Sequence, residues 1–352
     1  MKSGVRCLLM LCLGALTVLS AFAGEGRTPI FQVGTVIAAP GRYIVTQDLI
    51  GTGAAPIIEI TVADVDVDLN GFTLQNASGP AAVILVDGVL NVSIHGGSLV
   101  GGGMGIDIPS GGYNHTIEDV RIRATSGKGI HATSGTLVIR RSTVSYLTGI
   151  GILSEFPHSC SIEDSVVIGT GAEGVRINGG TARIVRTTIT DSGSYDILIN
   201  TGYNDVIQDN VVTGGVGLSA MRLQSLQAGD ISGNQIQGAA AECVHLDSGT
   251  AGVTLRNNNI SNCGNQIPYG GDDIVVDGVR NTIEGNLLTG AYNFGLHFTT
   301  TAGNNTYGRN TARGNNGGGA PCAGTLYYPD FCDDGSGDTS FGDNLIPGPP
   351  LH

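Results

Sequence analysis

Short runs that alternate apolar and polar residues fill most of the chain, and no stretch shows sustained helical periodicity. The runs are rich in Ile, Val, Leu and Thr, and turn residues such as Gly, Ser and Asn separate them. This pattern predicts an all-β protein built from many short strands. The strands that open the predicted repeats include Ile57–Ile60, Gly105–Ile108, Gly129–Ala132, Val175–Ile177, Ile197–Ile199, Met221–Leu223, Val244–Leu246, Ile274–Val276 and Leu296–Phe298.

Each opening strand has a middle residue with apolar neighbours on both sides, as in Val244-His245-Leu246. Because successive side chains of a strand point to opposite faces, the neighbours point inward and the middle residue points outward. Glycine accounts for 57 of 352 residues, about 16% against an average usage of ~7%. Its spread through β-branched segments, without a Gly-X-Y period, indicates frequent sharp turns and excludes collagen.

Asparagines recur at a nearly constant spacing in the second half of the chain. Asn210, Asn234, Asn258, Asn286 and Asn310 are separated by 24, 24, 28 and 24 residues, and Asn70 lies in a similar local setting. A period in the twenties is typical of a solenoid, whose repeats bury their apolar residues by stacking on one another. Asparagine tolerates left-handed backbone, and its amide can bond to the same amide one repeat away. The spacing therefore predicts stacked turns held by an asparagine ladder.

These patterns predict a right-handed parallel β-helix of about eleven rungs between residues 54 and 316. At ~4.8 Å per stacked strand, the rod is about 50 Å long. Residues 24–53 are expected to cap its N-terminal end and residues 317–352 to form an irregular C-terminal cover. Residues 1–23 read as a signal peptide, with Lys2 and Arg6 before an apolar stretch and Ala21-Phe22-Ala23 at the cleavage site.

The charge of the chain argues against nucleic acid and anionic membranes as partners. Without Lys2 and Arg6, 15 Lys and Arg residues face 30 Asp and Glu residues, a balance of −15. Nucleic acid and anionic membranes need a basic surface. Beyond the signal no segment resembles a membrane span, so we expect a soluble, monomeric protein that is secreted or periplasmic.

Five cysteines remain after removal of the signal, and export permits disulfides. Cys322 and Cys332 lie close together in the C-terminal tail and form the favoured pair. Cys243 and Cys263 are 20 residues apart, slightly less than one repeat, and could meet between rungs. Cys160 is then an unpaired thiol. No Cys-x-x-Cys spacing indicates zinc.

Two segments resemble a known superfamily. Pro40-Gly41-Arg42-Tyr43-Ile44-Val45 and the run from Val65 to Leu74 are similar to the entry rungs of exported bacterial right-handed parallel β-helix repeat proteins of the pectate-lyase-like superfamily. The resemblance covers about residues 35–345 and implies the β-helix fold. It implies less about activity, because that fold is used by polysaccharide lyases, hydrolases, epimerases and non-catalytic adhesins.

The outward residues of the opening strands supply the candidate chemistry. Stacking predicts one column along the rod, made of Asp107, His131, Arg176, Leu198, Arg222, His245, Val275 and His297. Asp247 and Asp277 follow the column on one side, and Asp196 and Asp273 are expected on the other. The resemblance implies that glycans bind on this face. We therefore expect Arg176, Arg222, His245 and Asp247 to be catalytic, with a second set binding substrate: Asp107, His131, Asp196, Asp273, Asp277 and His297.

These residue types match the chemistry of uronate lyases and C5-epimerases. Both reactions need a positive group to neutralise the uronate carboxylate and a base to remove the C5 proton. Arg222 and Arg176 suit the first role, and His245 or an arginine suits the second. Asp247 lies two residues after His245 on the same strand face, so we expect it to orient the imidazole. The expected substrate is an acidic polysaccharide.

Two other functions fit the same residues. Opposite charges that pair between rungs contribute little to stability, and a strip of such pairs also fits a non-catalytic rod that binds glycan or protein. The order Asp247, Gly271-Asp272-Asp273, His297 resembles the Asp, Asp-Asp and His motifs of polygalacturonase-type hydrolases, in which two separated carboxylates hold a water. The usual Gly-His-Gly and Arg-Ile-Lys settings are missing from this chain.

No cofactor is expected, although calcium remains an open alternative. Aspartates crowd the Gly-rich C-terminal cover, and calcium takes six to eight oxygen ligands. The EF-hand spacing is not met, which favours acidic turns without a metal. These aspartates are Asp330, Asp333, Asp334, Asp338 and Asp343.

Overall fold

The structure, a computed structural model, describes residues 26–52, 55–77, 79–214, 217–264, 271–315, 321–327, 330–341 and 344–345. The predicted signal peptide and Asp343 lie outside these residues. Across the described ranges all regular structure is strand, and there is no helix of the length and apolarity needed to cross a membrane.

The chain winds as a right-handed parallel β-helix, which confirms the predicted fold. Each turn adds one strand to each of three faces, and strands of successive turns pair in parallel. The second and third faces form one continuous sheet because two long strands, Val92–Gly101 and His115–Arg123, run through the corner between them. Eleven first-face strands begin between residues 54 and 316 of the described chain, the number of rungs that the sequence predicted.

The first face carries the candidate site. Its strands are Thr35–Ile37, Ile58–Ile60, Ala82–Val86, Met104–Ile108, Lys128–Ala132, Ile152–Glu155, Val175–Asn178, Ile197–Asn200, Met221–Gln224, Val244–Leu246, Ile274–Val276, Leu296–Phe298 and Phe331–Asp333, with Thr325–Tyr327 antiparallel at the end.

The second face follows the first in every turn. Besides the two long strands it contains Thr28–Ile30, Gly41–Val45, Val65–Asp68, Gly135–Arg140, Pro157–Glu163, Thr181–Val185, Tyr203–Gln208, Gln227–Ser232, Ala251–Arg256, Thr282–Glu284, Thr306–Gly308 and Thr339–Ser340.

The third face closes each turn. Its remaining strands are Leu49–Gly51, Thr73–Asn76, Thr143–Leu147, Val166–Thr170, Thr188–Ser192, Val211–Thr213, Gln235–Gln237, Asn259–Ser261, Leu287–Thr289 and Thr311–Arg313.

The core lies inside the coil and is made by the inward residues of all three faces. On the first face the flanking positions, such as Ile106 and Ile108, are buried in turn after turn. The region expected to cap the N-terminal end forms the first turn of the same coil, since Thr28–Ile30 pairs with Gly41–Val45 and Thr35–Ile37 pairs with Ile58–Ile60. The C-terminal region adds Phe331–Asp333 in register with Leu296–Phe298. Parallel pairing therefore continues into both ends.

The predicted asparagine ladder is present at the corner between the second and third faces. Asn210, Asn234, Asn258, Asn286 and Asn310 are buried, and each Nδ2 donates to Oδ1 of the next residue. The four donor–acceptor distances along the ladder are 2.9–3.0 Å. Each Oδ1 also accepts the backbone N–H of the preceding ladder residue. The ladder thus satisfies backbone and side-chain groups that would otherwise be buried unpaired.

Two details of the ladder differ from the sequence prediction. The left-handed residue is the one before each ladder asparagine, with φ between 54° and 67°, at Asp209, Gly233, Asn257, Gly285 and Arg309. Asn70 is exposed and lies outside the ladder, where its Nδ2 donates to the Val45 carbonyl at 3.3 Å. A second buried pair that the sequence analysis did not indicate, Asn281 and Asn305, lies at another corner, where Oδ1 of Asn305 accepts the backbone N–H of Asn281 and Nδ2 of Asn281 donates to the Thr250 carbonyl.

Replacing the central ladder residue by Asn258→Ala should destabilise the protein. The substitution leaves the backbone N–H and the side-chain amide of Asn234 without their shared acceptor. Each buried donor without an acceptor lowers the free energy of unfolding by about 1–3 kcal/mol. The free energy of unfolding from chemical denaturation measures this loss. The adjacent Asn259 is exposed, so Asn259→Ala should change it by no more than about 0.5 kcal/mol. Equal effects of the two variants would contradict a stabilising ladder.

Candidate functional site

The outward residues of the first face form one column along the rod, because the strands pair without a shift in register. Sequence analysis placed one turn between His131 and Arg176, and that turn contributes Leu153. The column therefore has the predicted order. From the N-terminal end it reads Glu59, Leu85, Asp107, His131, Leu153, Arg176, Leu198, Arg222, His245, Val275 and His297.

Arg222 lies at the centre of the most closely connected group. Its guanidinium binds both carboxylate oxygens of Asp247, with Nε 3.1 Å from Oδ1 and Nη2 3.1 Å from Oδ2. On its other side, Nη1 donates to the phenol oxygen of Tyr195 at 3.0 Å, and Cζ lies 5.8 Å from the centre of the Tyr195 ring. The arginine is therefore fixed between a carboxylate and a phenol, and its positive charge lies at the surface of the column.

His245 lies one turn beyond Arg222 and is held by two carboxylates. Its Nε2 is 2.9 Å from Oδ2 of Asp277 and 3.4 Å from Oδ1 of Asp247. Asp277, on the next turn, is thus the closer partner, whereas the sequence had indicated Asp247. Burial lowers the pKa of His245, but the hydrogen bond with Asp277 and the charges of Asp247 and Glu242 outweigh burial, so its pKa lies above the usual value. This arrangement favours the protonated imidazole.

A second histidine, His131, lies four turns from Arg222 and is also held by two carboxylates. Its Nδ1 is 2.7 Å from Oδ1 of Asp107 and its Nε2 is 3.0 Å from Oε2 of Glu155. The hydrogen bond with Asp107 raises the pKa of His131, burial opposes it, and the bond with Glu155 adds to the rise. Because both ring nitrogens are occupied, this histidine serves to join three successive turns.

Arg176 is the more accessible of the two arginines in the column. Its Nε donates to Oδ1 of Asn178 at 3.2 Å, and its Nη1 lies 3.4 Å from Oε1 of Glu173. Its side chain is 36% exposed, against 30% for Arg222. Arg176 is therefore well placed to contact a ligand that lies on the first face.

His297 occupies the C-terminal end of the column. Its Nδ1 is 3.0 Å from Oδ2 of Asp272, and its Nε2 is 3.5 Å from Oδ2 of Asp334. Burial lowers the pKa of His297, but these two carboxylates outweigh burial and raise it. Asp272 also accepts the backbone N–H of Phe294 at 2.7 Å. This group is a separate cluster from that of Arg222, because Val275 lies between His245 and His297.

Two of the expected substrate-binding residues are not on the surface. Asp196 is 1% exposed and Asp273 is 0% exposed. Each immediately precedes a first-face strand, where the chain turns the corner, so the in–out alternation of the strand does not extend to it. Burial raises the pKa of Asp196 to about 8. Burial, together with the charge of Asp272, raises the pKa of Asp273 well above its usual value.

One group in the column has the composition of a cation site. His245, Asp247 and Asp277 offer a nitrogen and two oxygens that lie within 4.8 Å of one another. Arg222 already binds both oxygens of Asp247, and calcium prefers oxygen ligands. The group therefore fits calcium poorly.

The cysteine pairs agree with those expected from the sequence. Cys243 is bonded to Cys263 and Cys322 to Cys332, with Cα atoms 5.5 and 5.7 Å apart. Cys160 is free and buried in the core, and burial raises the pKa of its thiol to about 12. The disulfides fit an oxidising compartment.

Three contributors to the site were not identified from the sequence. Tyr195, Glu155 and Glu173 lie at or next to the corners that flank the first face, and they reach the column from there. The pattern of middle residues does not include corner positions. Their spacing from the column residues, such as the three residues from Glu173 to Arg176, is the signal that could have found them.

Comparison with known proteins supports the architecture. A sequence model of the family described as "Right handed beta helix region" matches residues 129–279 and 173–326. The Dettilon tailspike protein superimposes with a TM-score of 0.52 at 16% identity and covers 81% of this chain; the match spans 59% of the tailspike. A double mutant of the periplasmic alginate epimerase AlgG gives a TM-score of 0.53 at 11% identity, covering 88% of this chain and 78% of the epimerase. No curated protein matches this chain in sequence.

The substitution Asp196→Ala, which removes a buried carboxyl group, should make the protein more stable than wild type, and this difference should grow as pH rises. The folded-state pKa of about 8 exceeds the usual 3.8, so the contribution of protonated Asp196 is fully present below about 4 and is lost as pH rises to about 8. Alanine is the native residue at the same corner of the next turn, Ala220. Relative to wild type, the free energy of unfolding of the variant should therefore improve by about 1.4 kcal/mol for each pH unit across that range.

Denaturant titrations at several pH values measure this difference. Asp87 is exposed, so Asp87→Ala serves as the matched control and should show no such trend. A constant difference between Asp196→Ala and wild type at all pH values would contradict a neutral buried Asp196.

Proposed function

Because the chain belongs to the right-handed beta helix family, we propose that it is an exported protein that acts on an acidic polysaccharide, as a uronate lyase or C5-epimerase, on its first face. One observation carries the proposal. Arg222 brings a fixed positive charge, the phenol of Tyr195 and, one turn away, the protonatable His245 together on an outward surface. These are the three kinds of group that proton transfer next to a carboxylate requires.

The chemistry begins with the C5–H bond of a uronate residue. Its proton becomes acidic when a positive charge stabilises the negative charge that develops on the carboxylate. Arg222 supplies that charge, and Arg176, two turns away in the column, contacts a neighbouring carboxylate of the polymer. Arg222 also donates a hydrogen bond to the phenol oxygen of Tyr195, which fixes that oxygen beside the positive charge and makes Tyr195 a candidate base.

His245 then acts as the acid. In elimination, the C5–H and C4–O4 bonds break, a C4–C5 double bond forms, the base takes the C5 proton, and His245 protonates the departing oxygen. In epimerisation, the proton leaves one face of C5 and His245 returns a proton to the opposite face. The partners that raise the pKa of His245 keep it protonated for either role.

One fold neighbour supports the class of polymer that we propose. It is a periplasmic alginate epimerase, and alginate is a polyuronate. The identity of 11% places no activity on this chain by itself. The disulfides and the signal-like N-terminus support a periplasmic or secreted location, and we propose that the protein acts there without a required metal.

A non-catalytic glycan-binding rod is the alternative function, and one observation favours it. From Asp107 onward, each charged side chain of the column has an opposite charge within 4 Å, as Arg222 has Asp247 and His131 has Asp107. Partners of this kind stabilise the stacked turns without any chemistry. The hydrolase alternative is weaker, because burial of Asp273 removes one of its two carboxylates from the surface.

Turnover on polyuronates tests the proposal, with Arg222→Ala as the decisive variant. Wild type should either release unsaturated uronate, seen by ultraviolet absorbance, or incorporate solvent deuterium at C5, seen by NMR. Arg222→Ala should lower kcat/KM by about 100-fold or more, because it removes a preorganised charge from the transition state. Reactions with and without added calcium show whether the ion contributes.

Arg256→Ala is the matched control for that variant. Arg256 binds Asp230 on the second face with the same two-point geometry, at 3.1 and 2.8 Å. Its loss should leave turnover unchanged. Absence of both signals on pectin, alginate and glycosaminoglycans would refute the enzymatic proposal and favour the binding rod.

The pH profile should report on His245. As an acid it works only while protonated, so kcat/KM should fall as pH rises through its raised pKa. Asp277→Asn removes the carboxylate that raises this pKa, so the falling limb should move to lower pH. Rates across pH for the two proteins, with Asp230→Asn as a control away from the column, measure the shift. A falling limb that stays in place would exclude His245 as the acid.

A further inference from the structure

Two aromatic side chains stand at opposite edges of one first-face strand, Ile152–Glu155. Tyr146 lies near the end of the preceding third-face strand, and Phe156 directly follows Glu155. They are 70% and 74% exposed, more than any other large apolar side chain in the described ranges. Both are far enough from Arg222 to lie outside the group already described, since Leu153 is three turns from Arg222.

The backbone at both positions is costly for an aromatic residue. Tyr146 has φ 54° and Phe156 has φ 51°, and they are the two aromatic residues with left-handed backbone in the part of the chain that the structure describes. A bulky residue is unusual in this conformation and is held there by its surroundings. In the next turn the corresponding positions are occupied by Gly169 and Gly179, which adopt it without strain.

The two positions therefore combine exposed apolar surface with backbone strain, and neither is needed for the coil. Pairing with the next turn uses backbone groups, such as the Phe156 N–H that donates to the Asn178 carbonyl at 2.8 Å, and does not use the aromatic rings. Glycine occupies the same corners one turn later and adopts this backbone at a lower cost in free energy. Exposed apolar surface that the fold does not require indicates a binding surface.

The Tyr146 ring lies against the next turn, since a Cβ at Gly169 would be 3.0 Å from its Cδ1. One face of the ring thus covers a glycine, and the residue remains largely open to solvent. On the edge of Phe156, Tyr113 and His158 stack with ring centres 5.2 Å apart and 29° between their planes. Tyr146, Phe156 and His158 thus belong to one turn, and Tyr113 contacts it from two turns before, in a chain without tryptophan.

The surface between the edges is polar. Leu153 is 4% exposed at the centre of the strand, with His131 before it and Arg176 after it in the column. Glu155 and Asn178 flank these residues and present carboxylate and amide oxygens. Protein–protein interfaces are depleted of charge at their centres, so this composition fits a protein partner poorly.

We propose that Tyr146 and Phe156 bracket a sugar-binding subsite that takes a pyranose unit of a glycan chain lying on the first face. The C–H face of a pyranose packs on an aromatic ring, and its hydroxyl groups bond to carboxylate, amide and guanidinium groups. The subsite lies three turns, or about 14 Å, from Arg222, so a chain that reaches both occupies several units. The inference depends on the proposed function for the class of polymer, but it does not require that the protein turns the polymer over.

Glycine substitutions give the sharpest test, because they reproduce the native residues of the next turn. Tyr146→Gly and Phe156→Gly should each weaken binding of oligosaccharides by about tenfold. The same variants should keep or raise the thermal unfolding midpoint, since glycine relieves the left-handed backbone. Phe31→Ala is the matched control; it removes a 44% exposed ring at the N-terminal turn and should leave binding unchanged.

Isothermal titration with neutral and acidic oligosaccharides of increasing length measures the binding, on wild type and on an Arg222→Ala background. Loss of affinity in both glycine variants with an intact unfolding midpoint supports the subsite, even if no turnover is found. Turnover that depends on Arg222 with affinity unchanged in both variants overturns the subsite and leaves the proposed function standing. Absence of glycan binding, or self-association in sedimentation that the glycine variants abolish, also overturns it.

Discussion

Every other feature of this protein depends on the backbone hydrogen bonds that each turn makes with the next. Parallel pairing without register shifts runs through most of the three faces, and one bulge, between Gly135 and Thr136, interrupts the second face. Because the turns stack in register, residues one repeat apart in the sequence are neighbours along the axis of the rod. The core, the asparagine ladder and the first-face column all follow from that constraint, since each is a set of equivalent positions on successive turns.

The same constraint explains how much the sequence could predict. The inward residues of a strand such as Val244–Leu246 have to be apolar, which fixes the register and makes the outward position of His245 readable from the alternation. The order of the whole column was predictable for that reason. At the corners the chain bends, and alternation stops being informative. Asp196 and Asp273 were expected outside and are buried, while Tyr195 reaches the site from a corner that no periodicity describes.

Charged side chains occur on more than one face of the rod, and their burial determines how strongly they interact. Pairs on the second face, such as Arg42 with Asp66 at 65% and 33% exposure, are open to solvent and stabilise the fold little. The histidines of the first face are much less exposed, with side chains 11% and 15% accessible at His131 and His245. Electrostatic interactions act more strongly in such partly desolvated positions. The histidines of the first face are therefore better suited to hold a proton than the exposed charged groups elsewhere on the chain.

The asparagine ladder also gives the rod a direction. Besides a bond to a backbone carbonyl one turn back, each amide donates to the next asparagine toward the C-terminal end, and the last, Asn310, has Asn344 as its acceptor at 3.4 Å. The two ends of the ladder are consequently unlike: at Asn210 the first amide oxygen accepts the Thr187 N–H, and at Asn310 the last amide nitrogen donates to Asn344. The segment that contributes Asn344, with the strand Thr339–Ser340 before it, therefore closes the ladder as well as covering the core of the coil.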